Sequence, residues 1–170
     1  MEVFTGSKLE PEVHIIEVYF REVQNCLTIT NVRCENGREI DLLAINPKTG
    51  EKYHVESRIA TTRSLYLTLK GHRRGLDYFD KEKFNHLAVV NKIKEIFGDT
   101  NYQKVLVIWC YVDDYVEYCA EKDYGIKIMF IKTIIEELKE AVKRRGSRDD
   151  IMRLIELITE IEEIGTTSKA

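Results

Sequence analysis

Apolar residues recur at helical spacing from Pro11 to Val23, where Ile15, Ile16, Tyr19, Phe20 and Val23 fall on one side. Pro11 suits the first turn, where its missing N–H costs little. From Cys26 to Val32 the pattern changes to alternation with Thr and Ile, which predicts a strand. Asn36-Gly37 is a turn signal. A second strand, Arg38–Ile45, follows, then a loop, Asn46-Pro47-Lys48-Thr49-Gly50, and a third strand, Lys52–Ile59. Residues 60–75 give no clear period. Leu76–Phe97 reads as mostly helical through Phe79, Phe84, Leu87, Val90, Ile93 and Phe97, with Gly98 as its stop. Lys104–Val112 is nearly all apolar and predicts a buried strand. Asp113–Lys122 reads as a short helix or loop, Gly125–Ile131 as a strand and Lys132–Arg145 as a helix. Ser147 or Asp149 caps a last helix that runs to about Ile164. The order α-β-β-β-α-β-α-β-α-α predicts an α/β fold, with a mixed sheet built from a three-stranded meander plus further strands and flanked by helices.

Composition narrows the class. The chain has 170 residues, 44% hydrophobic and 32% charged, enough apolar material for the core of one domain. Its longest apolar runs, such as Val105–Cys110, are far short of the roughly 20 residues a membrane span needs. No basic segment with an apolar stretch behind it opens the sequence, so no secretory signal is expected. Cys26, Cys34, Cys110 and Cys119 form no CxxC pair, which argues against a zinc site and for free thiols in a cytoplasmic protein. A net charge of −3 excludes a globally basic nucleic-acid binder. It hides one asymmetry, however. Between Arg58 and Leu76 stand Arg58, Arg63, Lys70, Arg73 and Arg74, with His72 and no acid. Such a stretch, with Ser57, Thr61, Thr62 and Ser64 as further donors and Tyr66 and Tyr78 as stacking surfaces, suits a phosphate backbone. A solvated loop would look the same.

The chemistry concentrates in the second and third strands, Glu39-Ile40-Asp41-Leu42-Leu43 and His54-Val55-Glu56-Ser57-Arg58. If Ile45 and Lys52 close the loop, cross-strand partners have numbers summing to 97, so Asp41 faces Glu56 and Glu39 faces Arg58. Opposed residues share a face, with Cβ atoms roughly 5 Å apart. Two carboxylates so placed repel each other, and apolar neighbours make their charge costly. A divalent cation resolves that conflict. Mg²⁺ (or Mn²⁺) suits hard oxygen ligands and takes one or two carboxylates plus water and phosphate. His54 alternates onto the same face as Glu56, either as a metal ligand or proton carrier or as a hydrogen-bonded structural residue.

This constellation resembles the PD-(D/E)xK nuclease superfamily, with its restriction-endonuclease-like fold, over about Pro11 to Ile131. The nearest likeness is to archaeal Holliday-junction resolvase-like and Mrr-like proteins. The resemblance implies a metal-dependent DNA endonuclease in which Asp41 and Glu56 hold the metal and the backbone carbonyl of Ser57 completes its coordination. Arg58 stands where the family has Lys, and Glu17 where some members carry an additional metal-associated acid. Ile40 replaces the motif Pro. Arg keeps its proton at any working pH and cannot serve as a general base. Three readings stay open: the site works with Arg58, another lysine such as Lys70 or Lys81 reaches in, or the fold persists as a catalytically inactive DNA-binding or assembly module. A fourth reading has the acids paired only with Arg38, Arg58 or Arg63. The segment 58–74 would grip DNA through Arg63, Lys70, Arg73 and Arg74. Residues 1–131 then form the endonuclease-like core, and 132–170 a helical extension that packs on it or pairs two copies as a homodimer. Elsewhere Asp113-Asp114 reads as a helix cap, Lys143-Arg144-Arg145 as a helix end and His86 as structural.

Overall fold

The computed structural model describes residues 10–58, 67–70, 75–109, 112–145 and 149–167. Helix α1 (Pro11–Glu22) precedes three antiparallel strands, β1 (Leu27–Arg33), β2 (Glu39–Ile45) and β3 (Lys52–Arg58). A short helix α2 (Leu76–Tyr78) runs into a π-turn, Phe79–Phe84, and helix α3 (Leu87–Phe97) follows. Strand β4 (Gln103–Ile108), helix α4 (Asp114–Tyr124), strand β5 (Ile126–Phe130) and helices α5 (Ile131–Arg145) and α6 (Asp150–Thr167) complete the chain. The five strands form one sheet in sequence order. β3 runs parallel to β4 and β4 to β5, so the sheet is mixed, as the alternation of elements predicts.

The strands β3 and β4 are buried on both sides, and each side has its own core. Leu42, Ala44, Val55, Val105 and Val107 face Ile16, Tyr19 and Phe20 of α1 and Ile134, Leu138 and Met152 of α5 and α6. The C-terminal helices therefore share the central core. Leu106, Ile108, Ile126 and Ile128 face α2, the π-turn and α4. Val32, Ile40 and Leu43 face Val89 and Ile93 of α3. Ile40 and Leu43 have opposite parity in β2, yet both belong to this cluster, so the strand turns between them. Asn31 marks the place. The β1–β2 register passes from Thr30–Leu42 to Val32–Ile40, and Asn31, opposite Asp41, has a left-handed φ of 52°.

Most caps are legible in the sequence. Asp113 accepts the Tyr115 N–H at 2.9 Å and Asp149 that of Ile151 at 2.9 Å. Gly98 ends α3 with φ 80°, a conformation costly for other residues. Three expectations need correction. Leu76–Phe97 is not one helix, because Asn85 and His86 break it after the π-turn. The strand expected to reach Val112 ends at Ile108. Glu39 and Arg58 do not pair, because the β2–β3 ladder ends at Leu42–Val55. The break has a physical cause. Phe79 and Phe84 are five residues apart, which an α-helix turns about 140° out of line. The wider π-turn, closed by Asn85 N–H to the Asp80 carbonyl at 2.8 Å, buries both rings, at 2% and 0% exposure.

The π-turn should thus depend on its two rings. Phe84→Ala should cost about 3–5 kcal/mol in urea unfolding, whereas Leu87→Ala, at a side chain 72% exposed, should stay within about 0.5 kcal/mol.

Candidate functional site

The β2–β3 ladder contains Ile45–Lys52, Ala44–Tyr53, Leu43–His54 and Leu42–Val55, all in the predicted register. It stops one pair short of Asp41 and Glu56, where β2 bends opposite Asn31. On its other edge β3 pairs with β4 from Tyr53 to Arg58, with Glu56 beside Leu106, Ser57 beside Val107 and Arg58 beside Ile108. The acids therefore lie toward the carboxyl end of a parallel strand, a common place for ligands in open α/β sheets.

The released Asp41 carboxylate bends toward β3. Its Oδ2 accepts the Ser57 N–H at 2.7 Å and the Ser57 hydroxyl at 3.0 Å. Its Oδ1 lies 3.9 Å from Lys83 Nζ. The same ammonium reaches Glu56 Oε2 at 2.6 Å and donates to the Glu39 carbonyl at 3.3 Å. The two acids thus converge on one cation from the π-turn. Glu56 is 1% exposed, and its Oε1 meets His54 Nε2 at 2.9 Å. His54 is wholly buried against the edge of Phe84, ring centroids 4.8 Å apart. Its Nδ1 has no hydrogen-bond partner among the described residues, so the bond to Glu56 uses an Nε2–H donor.

Charge crowding leaves a mark on Asp41. Burial, then the neighbouring Glu56 charge, pushes its carboxyl up from 3.8 to about 6, against the lowering effects of Lys83 and of the Ser57 hydrogen bonds. Lys83 moves up as well: burial lowers it, but the two carboxylates outweigh that. The π-turn is held in place by Arg38, whose guanidinium binds the Glu82 carbonyl at 2.7 Å and the Glu82 carboxylate at 2.6 Å.

Not every predicted residue joins this group. Glu17 lies on α1, across the sheet, bound to Thr28 Oγ1 at 3.2 Å, His14 Nδ1 at 3.1 Å and Arg21 at 3.6 Å, so it does not extend the acid pair. Arg58 ends β3 next to the site, and its buried Nε has no hydrogen-bond partner among the described residues. Ser57 holds Asp41 through its amide and hydroxyl. Of the basic stretch, Lys70 lies just upstream of α2, and its carbonyl accepts the Thr68 hydroxyl at 3.0 Å. Arg63, Arg73 and Arg74 lie outside the described residues. The lysine that reaches the acids is Lys83, not Lys70 or Lys81. The five-residue spacing of Phe79 and Phe84 is out of step with an α-helix, and the π-turn that buries both rings carries Lys83.

The donor chemistry accommodates a hard divalent cation. Two carboxylates share one positive charge, and Mg²⁺ needs only one or two carboxylates with water. Among the described residues no group of three or more His, Cys, Asp or Glu converges as a metal cluster. No helix among them is long and apolar enough to cross a membrane. No family model and no curated protein matches the chain. Among solved structures, the crystal structure of AF1548, a protein of unknown function, overlays with a TM-score of 0.48 at 18% identity. The match covers 74% of this chain and 65% of that one, so the chain spans under two thirds of that protein's length.

The raised Asp41 pKa carries a sign. The folded state holds the Asp41 proton more tightly than the unfolded chain, so stability falls as pH rises from about 4 to about 6. The full fall is on the order of 3 kcal/mol, at about 1.4 kcal/mol per unit. Urea unfolding of the native chain and of Asp41→Asn at pH 4, 5, 6 and 7 checks this: the native curve should drop relative to the variant across that window. Parallel curves would show that Asp41 ionises freely.

Proposed function

We propose that this chain is a metal-dependent nucleic-acid phosphodiester hydrolase, a DNA endonuclease of the restriction-endonuclease-like kind. One observation carries the reading: Asp41 and Glu56, from adjacent strands, converge on Lys83 at the end of the meander. This supplies two hard ligands and a lysine, the three side-chain types that the resemblance requires. Lys83 replaces in space the lysine that Arg58 replaces in sequence.

In this reading Asp41 and Glu56 hold Mg²⁺ or Mn²⁺. When bound, the ion would polarise the attacking water and stabilise charge building on the phosphate. The protein's own groups do the positioning. Ser57 fixes Asp41 Oδ2 and leaves Oδ1 for the site. His54 fixes Glu56 Oε1 and leaves Oε2. Lys83, 28% exposed on its outer side, offers an ammonium to the phosphate oxygens or to the attacking water. Arg58, at the end of β3, binds the next phosphate as a permanent cation. Lys70, with Arg63, Arg73 and Arg74, belongs to the stretch that contacts the DNA backbone. A second copy would pair through α6, where Leu154, Leu157 and Ile158 are exposed at 51%, 50% and 43%.

Glu56 also favours a second reading. At 1% exposure, matched by His54 and Lys83, it completes an internal ion network that a non-catalytic DNA-binding or assembly module would keep. Nicking of supercoiled and branched DNA in Mg²⁺ and Mn²⁺ separates the two. The native chain should cleave, Asp41→Ala should fall to background, and Lys83→Ala should lose about 100- to 1000-fold, the scale of removing one charge-stabilising donor. If the native chain cleaves none of these substrates with either metal, the hydrolase reading is lost and the module stands.

A further inference from the structure

Lys83 holds an ambiguous place in the site. Its Nζ lies 2.6 Å from Glu56 Oε2 and 3.9 Å from Asp41 Oδ1, the two oxygens left free when Ser57 and His54 have taken the others. Those are the oxygens that a divalent cation would also need. An ammonium and a divalent ion cannot share a partner oxygen at such range without strong repulsion, because the surroundings are poorly screened.

We infer that Lys83 is a built-in counter-cation that exchanges with the metal ion, so that it guards the empty acid pair and lowers its metal affinity. This rests on the metal-site reading above and adds a regulatory role to it. Three observations support the exchange. First, Glu56 is 1% exposed, and a buried carboxylate without a partner is strongly destabilising, so the metal-free fold needs a cation at this point. Second, Lys83 is 28% exposed, which leaves its flexible stem room to move outward. Third, a resting place is already engaged. The Glu39 carbonyl accepts from Nζ at 3.3 Å, so the ammonium can leave the carboxylates without giving up every partner. The β2 bend produces this arrangement, since it frees Asp41 from the ladder and leaves the Glu39 carbonyl within reach of the π-turn.

The exchange predicts opposite effects of one substitution. Lys83→Met keeps the length of the side chain and removes its charge. It should bind Mn²⁺ at least tenfold more tightly than the native chain at pH 8, although it cleaves DNA more slowly. Lys83→Arg keeps a cation and should bind Mn²⁺ no more tightly than the native chain. Isothermal titration with Mn²⁺ alone reads the affinity. Thermal melting guards against misfolding: Lys83→Met should melt lower than the native chain without metal, and Mn²⁺ should raise its Tm by more than it raises the native Tm. Equal or weaker Mn²⁺ binding by Lys83→Met, with binding still lost in Asp41→Asn, would overturn the exchange and leave the metal site intact. If no chain binds Mn²⁺, the metal site and the exchange fall together.

Discussion

A carboxylate at 1% exposure has to be answered by a charge, and much of this fold is arranged around that demand. Glu56 projects from β3 into the interior, where His54 and Lys83 of the π-turn flank its carboxylate. Its answer comes from Lys83 on the π-turn. The turn must dock at the right height, which the buried Phe79 and Phe84 and the Arg38–Glu82 bridge ensure. Desolvating such a pair costs several kcal/mol per ion before any attraction is counted, and breaking it costs about 3–5 kcal/mol. A pair of this kind therefore adds little net stability over an apolar core, yet the fold depends on its staying matched.

The two faces of the sheet divide the work. On one side α1, α5 and α6 pack a continuous apolar core, and their polar contacts lie at its margins. Arg21 and His14 of α1 reach Asp149 at the start of α6, at 2.8 and 3.7 Å, and tie the first helix to the last. Glu17 belongs to this margin. On the other side the helices are short and interrupted, and the polar groups lie inward. Regular packing supports the first face; an irregular turn makes room for the second.

What the sequence shows and what it hides follow the same division. The meander strands, the β2–β3 register from Ile45–Lys52 to Leu42–Val55 and the caps at Asp113 and Asp149 are legible because alternation, turn chemistry and capping are local. The shared face of Asp41 and Glu56 could be read for the same reason. Lys83 is not legible in this way, because its place beside the acids depends on a turn that departs from 3.6-residue periodicity. Glu17 stands apart from the acids: its spacing to Arg21 and its contact with Thr28 are those of a helix packed on a sheet edge. The fate of Ser57 was half visible, since its place between Glu56 and Arg58 is in the sequence while the bend that brings Asp41 to its amide is not.

The left-handed Asn31 that accompanies this bend has a consequence far from the chemistry. β1 is an edge strand, and Leu27 and Ile29 on it are 65% and 50% exposed. A straight apolar edge invites another chain to add a strand and begin aggregation. With φ at 52° at Asn31, the extended run of β1 is interrupted after Thr30, which shortens the edge along which such a strand could pair. The left-handed Asn31 that lies opposite Asp41, where the β2–β3 ladder ends, thus also interrupts the outer edge of the sheet.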